Sequence, residues 1–163
     1  ACQVLLSLCE TVGMRLRRDG QAGSCVTIQL RTSEFETWSH QMRLASATNV
    51  TGELYQAACS LLDQAWDRKT PLRQLGVSVT QLADGTLRQY SLFDAADYAR
   101  QEKLDTAVDA LREKFGEGAL FRAALLHSDE RMAGGLHKKR RTGITKPIED
   151  EAARIRKKYG NND

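Results

Sequence analysis

Apolar side chains recur along the chain with two different periods, which predict an alternation of helices and strands. Between residues 4 and 18 they repeat every three or four positions and predict a first helix. Apolar and polar residues then alternate over 24–35 and again over 37–46, which predicts two strands joined as a hairpin. A helical pattern returns over 50–67 and an alternating one over 72–82. The predicted order is helix, strand, strand, helix, strand.

Each predicted strand has one apolar and one polar face, and this determines the fold class. The pattern is typical of an antiparallel sheet with helices packed on one face, so we predict an α+β domain. A third helix is predicted over 98–115, with Gly116 as its stop. Its expected buried stripe is Leu104, Val108, Leu111 and Phe115. The segment 119–126 is expected to be a short strand or an extended stretch.

Local signals predict where the first two helices end and begin. Gly20 and Gly23 are expected to supply the turn after the first helix. The side chain of Asn49 or Thr51 is expected to cap the start of the second helix.

The polar sides of the three strands form a surface that helices leave uncovered, called here the open face. Its predicted members are Thr27, Gln29, Arg31, Ser39, Gln41, Arg43, Gln74, Ser78 and Thr80. A solvated sheet surface is the ordinary interpretation. Arginines among amides and hydroxyls also suit phosphate oxygens, and Arg73 lies close by, just before the third strand. The open face is expected to contain no aromatic residue, which disfavours base stacking.

The segment Gln89–Phe93 follows the last predicted strand after a turn at Asp84 and Gly85. Two adjacent large apolar residues, Leu92 and Phe93, are costly to expose there. Either they fold back onto the domain, or they fill an apolar pocket of a partner while the Gln89 amide supplies a second anchor.

Charge divides the chain into three parts. Residues 1–94 contain nine basic and nine acidic side chains, 95–130 five and eight, and 131–163 ten and four. We predict a folded domain over 1–94, a helical extension over 95–130 and a basic tail over 131–163. A neutral domain does not bind DNA by bulk charge, so a few placed residues would have to do so. The basic run at 138–141 is either a solvated tail or a non-specific attraction for nucleic acid.

The sequence gives little support for a metal site, a redox site or a catalytic site. The four cysteines lack metal-site or redox spacing and are expected to be reduced thiols in or near the core. We recognise no phosphate-binding glycine loop, nucleophile elbow or paired carboxylates for metal chemistry. No apolar run approaches the ~20 residues that span a bilayer, and we expect a cytoplasmic location.

Four blocks, at 12–20, 26–44, 71–82 and 103–126, resemble one family in their order and spacing. The chain is similar to the little-finger domain of Y-family DNA polymerases, of the bacterial polymerase IV and ImpB/MucB/SamB type. The segment QYSLF also resembles the peptide by which bacterial polymerases bind the β sliding clamp. Gln89, Ser91, Leu92 and Phe93 match that peptide, and Tyr90 replaces the commoner leucine.

The resemblance implies that the chain is the DNA-binding part of a translesion polymerase. In that family the little finger lays its sheet along the major groove of the primer-template duplex and grips both backbones. Carried over by position, the DNA-facing residues are Arg31, Ser39, Gln41, Arg43, Arg73, Gln74 and Ser78. The partners implied are duplex DNA and the β sliding clamp.

The chain also departs from the family. Palm, fingers and thumb are absent, and with them the carboxylates that hold magnesium, so we expect neither catalysis nor a cofactor here. The family's first strand, before the first helix, is also missing. Either the sheet is one strand shorter, or 119–126 or a neighbouring molecule pairs at that edge. The main alternative function is a protein-interaction module without DNA binding, and a second is a small enzyme.

Overall fold

The structure, a computed structural model, describes residues 1–85, 95–116 and 118–125. In chain order its elements are α1 (Cys2–Arg18), β1 (Gln21–Thr32), β2 (Thr37–Thr48), α2 (Thr51–Ala65), β3 (Leu72–Asp84), α3 (Ala95–Phe115) and a 3-10 helix (Ala123–Leu125). No helix among these residues is both long and apolar enough to cross a membrane.

The three strands form one antiparallel sheet in the order β2-β1-β3, with β1 in the centre. The apolar side of β1 provides Val26, Ile28 and Leu30, none of which is exposed. Leu5 of α1 and Leu54 of α2 are equally buried in the same cluster. Both helices therefore cover one face of the sheet, and the predicted α+β class is confirmed.

The two glycines expected in the first turn have different roles. Gly20 has φ +65°, a left-handed conformation that glycine adopts without steric cost, and it forms the turn. Gly23 lies inside β1, at an irregularity in its pairing with β2, so its assignment to the turn is wrong. A Cβ there would lie 2.2 Å from Cγ1 of Val79, so Gly23 is required for space.

The predicted side-chain cap of α2 is also wrong. The helix begins after Val50, and neither Asn49 nor Thr51 caps it with a side chain. Instead the backbone N–H of Thr51 donates to Oδ2 of Asp105 at 2.8 Å. A carboxylate from α3 thus satisfies one of the free N–H groups at the start of α2, where negative charge is favoured.

Helix α3 docks through a polar face, and its predicted apolar stripe is wrong. Leu104, Leu111 and Phe115 are 58%, 41% and 64% exposed. Among the described side chains of α3, the buried ones are instead those of Asp105, Arg112 and Tyr98. The stop at Gly116 is confirmed, because its φ of +98° ends the helix.

A network of buried ion pairs joins α3 and the following segment to α1. Arg17 of α1 pairs with Asp105 at 3.2 Å and with Asp109 at 2.7 Å. Glu10 of α1 accepts from Arg112 at 3.1 Å and from Arg122 at 2.8 Å. Arg122 also pairs with Asp105 at 2.7 Å. Three acidic and three basic groups therefore balance each other beneath α3.

The segment 119–126 does not complete the sheet. Its described part, up to Leu125, contains a 3-10 helix that lies on α1, where Nε2 of Gln3 donates to the carbonyl of Ala124 at 3.0 Å. Of the two predicted alternatives, a short strand or an extended stretch, the strand is wrong. Among the described residues the sheet has three strands, and β3 forms one edge.

Candidate nucleic-acid interface

The strand register arranges the open face in rows that cross the sheet from β2 through β1 to β3. Directly opposed residues of neighbouring strands point to the same side of the sheet. From the hairpin end onward, the rows are Thr37-Arg31-Gln74, Ser39-Gln29-Gly76, Gln41-Thr27-Ser78 and Arg43-Cys25-Thr80. None of these side chains is acidic.

The two arginines of the open face lie at opposite ends of it. Arg31 pairs with Thr37, and Arg43 lies six residues further along β2. At ~3.4 Å per residue, the two rows are roughly 20 Å apart. Amides and hydroxyls fill the rows between them. The strand register therefore places positive charge at both ends of a neutral surface that can form hydrogen bonds.

One position near the centre of the open face, Gly76, carries no side chain. Gly76 of β3 is opposite Gln29, and a Cβ there would lie 3.6 Å from Cβ of Gln29, an ordinary contact. The fold therefore leaves room for a side chain at Gly76, in contrast to Gly23. Its absence lets another molecule approach the sheet backbone closely.

Phe35 forms a cluster with two arginines at the hairpin end, and the sequence pattern did not reveal it. The guanidinium carbons of Arg31 and Arg73 lie 4.9 Å and 4.7 Å from the centre of the Phe35 ring. The expectation of a surface without aromatics is wrong at this end. The sequence signal that could have revealed this cluster is a phenylalanine in a hairpin of otherwise polar residues.

Arg73 reaches this cluster because of an irregularity in the sheet. Arg31 is opposite Gln74 while Thr32 is opposite Leu72, so Arg73 is the extra residue between two paired positions. Such a bulge redirects a side chain that alternation would place on the other face. Arg73 therefore lies within β3 and reaches the end of the open face, rather than preceding the strand.

The other predicted DNA-facing residues occupy the same surface. Ser39, Gln41, Gln74 and Ser78 are all exposed there. The structure thus brings the seven predicted positions to one side of the sheet and its hairpin end. The predicted clamp peptide, at 89–93, and the basic run, at 138–141, lie outside the described residues.

The cysteines form no disulfide and differ in exposure. All four are free: Cys9 and Cys25 are buried, Cys59 is half-buried, and Cys2 is exposed. Burial raises the pKa of the Cys9 thiol to about 12, and burial also raises the pKa of Cys59. Neither thiol is therefore an activated nucleophile at neutral pH, since the thiolate is the reactive form.

The fold is an α+β domain whose polar sheet face is uncovered and has a cation at each end. These features define a class of domains that bind another molecule on the surface of the sheet. Comparison with known families identifies which one. Residues 1–92 match the impB/mucB/samB family C-terminal domain. The chain belongs to this family, and the predicted resemblance is confirmed.

Curated relatives of the chain are bacterial proteins named DNA polymerase IV. It is 34% identical to DNA polymerase IV of Clostridium acetobutylicum, over 79% of this chain and 32% of that protein. It is 37% identical to DNA polymerase IV 2 of Bacillus subtilis, over 76% and 30%, and 39% identical to DNA polymerase IV 2 of Halalkalibacterium halodurans, over 74% and 29%. The chain therefore spans about a third of the length of these relatives.

Proposed function

We propose that this chain is the DNA-binding little-finger region of a translesion DNA polymerase and grips primer-template duplex through its open face. The observation that carries the proposal is the separation of Arg31 and Arg43 by roughly 20 Å across a neutral polar surface. The relatives named DNA polymerase IV support it, because the matched region is the C-terminal domain of that family.

The open face has the dimensions and chemistry that duplex DNA requires. The major groove is about 12 Å wide, so arginines at the two ends of the face can reach phosphates on both rims. The amides and hydroxyls between them, such as Gln41 and Ser78, can donate to phosphate oxygens. Contacts of this kind hold a duplex with little dependence on its sequence.

Few charges are available for this grip, so each should contribute measurably. Residues 1–94 have no net charge, which leaves binding to the placed cations Arg31, Arg43 and Arg73. Some members of the family have two basic residues before the Leu-Gly-Val core of the last strand. In this chain only Arg73 is basic there, and Gln74 occupies the other position. We therefore infer that the affinity of this surface for duplex DNA is moderate. Stable binding would then require a second attachment of the chain to the replication machinery.

We propose that Gln89–Phe93 provides this second attachment by docking on the β sliding clamp. Its support is the match of Gln89, Ser91, Leu92 and Phe93 to the clamp-binding peptide. Gly85, four residues before the segment, is attached to the first turn, since its N–H donates to the carbonyl of Gly20 at 3.0 Å. A short tether between duplex and clamp raises the effective concentration of each site for the other.

The wider role is a proposal as well. Domains with catalytic carboxylates and magnesium would lie in the parent polymerase, and the present chain would provide DNA grip without catalysis. We propose the arrangement of a little-finger domain over 1–94, a helical extension over 95–130 and a basic tail over 131–163. Its place of action would be the bacterial cytoplasm, where the chromosome is replicated.

Binding of a labelled primer-template duplex over a range of salt concentrations tests the DNA-binding proposal. We expect Arg31→Ala with Arg43→Ala to weaken binding and to lower the salt slope by about two, since each lost phosphate contact lowers it by ~0.9. Arg18→Ala is the matched control, because Arg18 is an exposed arginine at the end of α1, outside the open face. An unchanged slope in the double variant, or an equal loss in the control, would refute the assignment of the open face. Absence of wild-type binding at low salt would favour the protein-interaction module.

A further inference from the structure

We propose that Phe35 is a positioning residue that gathers Arg31 and Arg73 into one binding site for the phosphodiester backbone. This inference rests on the proposed DNA-binding function and assigns a specific ligand group to one end of the open face. It also gives a function to the aromatic side chain of Phe35, which is 56% exposed in a polar hairpin.

The ring of Phe35 is the shared contact of two cations that would otherwise repel each other. Their guanidinium carbons lie 4.9 Å and 4.7 Å from its centre, within the range of a cation–π interaction. They are therefore at most about 10 Å apart, which is close enough for the two cations to contact neighbouring phosphates of one strand. The cluster matches a stretch of one sugar-phosphate backbone.

The backbone fixes the position of the ring. Phe35 has φ +70°, a conformation that is unfavourable for a non-glycine residue. Its N–H donates to the carbonyl of Thr32 at 3.2 Å, and Ser33 N–H donates to the carbonyl of Pro71 at 3.3 Å. The second bond ties the hairpin to the chain just before β3, so the ring is held between the strands that contribute the two arginines.

The arginines retain hydrogen-bonding capacity for a ligand. Within the described part of the chain, Nε of Arg31 is buried and has no hydrogen-bond partner, so contact with a phosphate would be made by the terminal NH2 groups of its guanidinium. Cation–π contact uses the plane of a guanidinium and leaves its edge N–H groups for phosphate oxygens. Because both cations already lie over the ring, Phe35 is better suited to hold arginines than to stack on a base.

Substitutions at Phe35 separate positioning from general structure. Phe35→Leu keeps a Cβ, and hence the backbone strain, but removes the aromatic ring, whereas Phe35→Trp retains an aromatic face. For a labelled duplex at fixed moderate salt, we expect Phe35→Leu to weaken binding roughly fivefold and Phe35→Trp to restore it to within about twofold. Thermal melting of each variant reports on the fold.

A double-mutant comparison gives the decisive outcomes. With Arg31→Ala and Arg73→Ala already present, Phe35→Leu should have no further effect. An undiminished effect in that background, no effect in the wild-type background, or failure of Phe35→Trp to restore binding would each overturn the proposal. If Arg43→Ala weakens binding while Phe35→Leu does not, only this inference fails. If the wild-type chain does not bind duplex DNA, both the proposed function and this inference fail.

Discussion

Glu10 of α1 and Arg112 of α3 form an ion pair 3.1 Å long, with side chains only 3% and 4% exposed. The pair connects residues far apart in the sequence and lies inside a network that also contains Arg17, Arg122 and Asp105. Breaking a buried pair leaves a charge without full compensation in a poorly solvated environment. The docking of α3 therefore depends on charge pairing more than on apolar contact.

Arg112→Met should weaken the docking of α3 by about 3 kcal/mol, the usual cost of removing one member of a buried pair. Hydrogen exchange should show faster exchange of α3 amides, while those of β1 remain protected. Arg18→Met is the matched control, because the pair of Arg18 with Asp19 is 70% and 54% exposed and such pairs contribute under about 1 kcal/mol. Equal effects of the two substitutions would contradict a structural role for the network.

The two glycines of the sheet should respond oppositely to alanine. Gly23→Ala forces a methyl group within 2.2 Å of Val79 and should lower the free energy of unfolding by about 1–3 kcal/mol. Gly76→Ala meets only ordinary contacts near Gln29 and should leave stability unchanged or raise it slightly. Urea unfolding measures both, and a large loss at Gly76 would show that the open face tolerates no side chain there.

A negative charge at the centre of the open face should repel duplex DNA. Gly76→Asp should reduce duplex affinity roughly tenfold at low salt, with the difference shrinking as salt rises, because added salt screens the charge. Gly76→Asn has nearly the same shape without the charge and is the matched control. If the two variants bind equally, electrostatic contact with the phosphates does not occur at this part of the face.

Leu92→Ala combined with Phe93→Ala should reduce affinity for the β sliding clamp by about a hundredfold, since buried apolar anchors dominate short-peptide binding. The melting temperature should not change. Tyr90→Leu, which restores the commoner residue of the motif, should retain binding. Surface plasmon resonance on immobilised clamp measures all three chains, and undiminished binding of the double variant would remove the docking proposal.

The reactivity of Cys9 should report on the packing of α1 against the sheet. Burial raises its pKa from 9.0 to about 12, so the folded chain keeps the thiol neutral where the unfolded chain ionises. Its contribution to stability is therefore complete below pH 9 and is lost as the pH rises toward 12. Iodoacetamide at pH 8 should label the exposed Cys2 rapidly and Cys9 only in denaturant. Equal labelling rates in the folded chain would contradict this burial.

Alternation along the strands was enough to predict the sheet and its open face, because side chains of a strand point to opposite sides in turn. Arg31 and Arg43 could therefore be assigned to one surface from the sequence. The same reasoning placed Arg73 before the strand, because a bulge adds one residue without any clear mark in the sequence.

What the sequence by itself determined is everything set by local periodicity: the order of helices and strands, the α+β class, the apolar side of β1 and the polar open face. Only the tertiary structure decided that α3 docks through Asp105 and Arg112 while Leu104 and Leu111 stay exposed, and that Phe35 lies between two arginines. The physical reason is that the contacts of a helix or hairpin depend on the groups that lie opposite it in the folded chain. An apolar stripe indicates burial only where an apolar surface is available, and α1 instead offered Glu10 and Arg17.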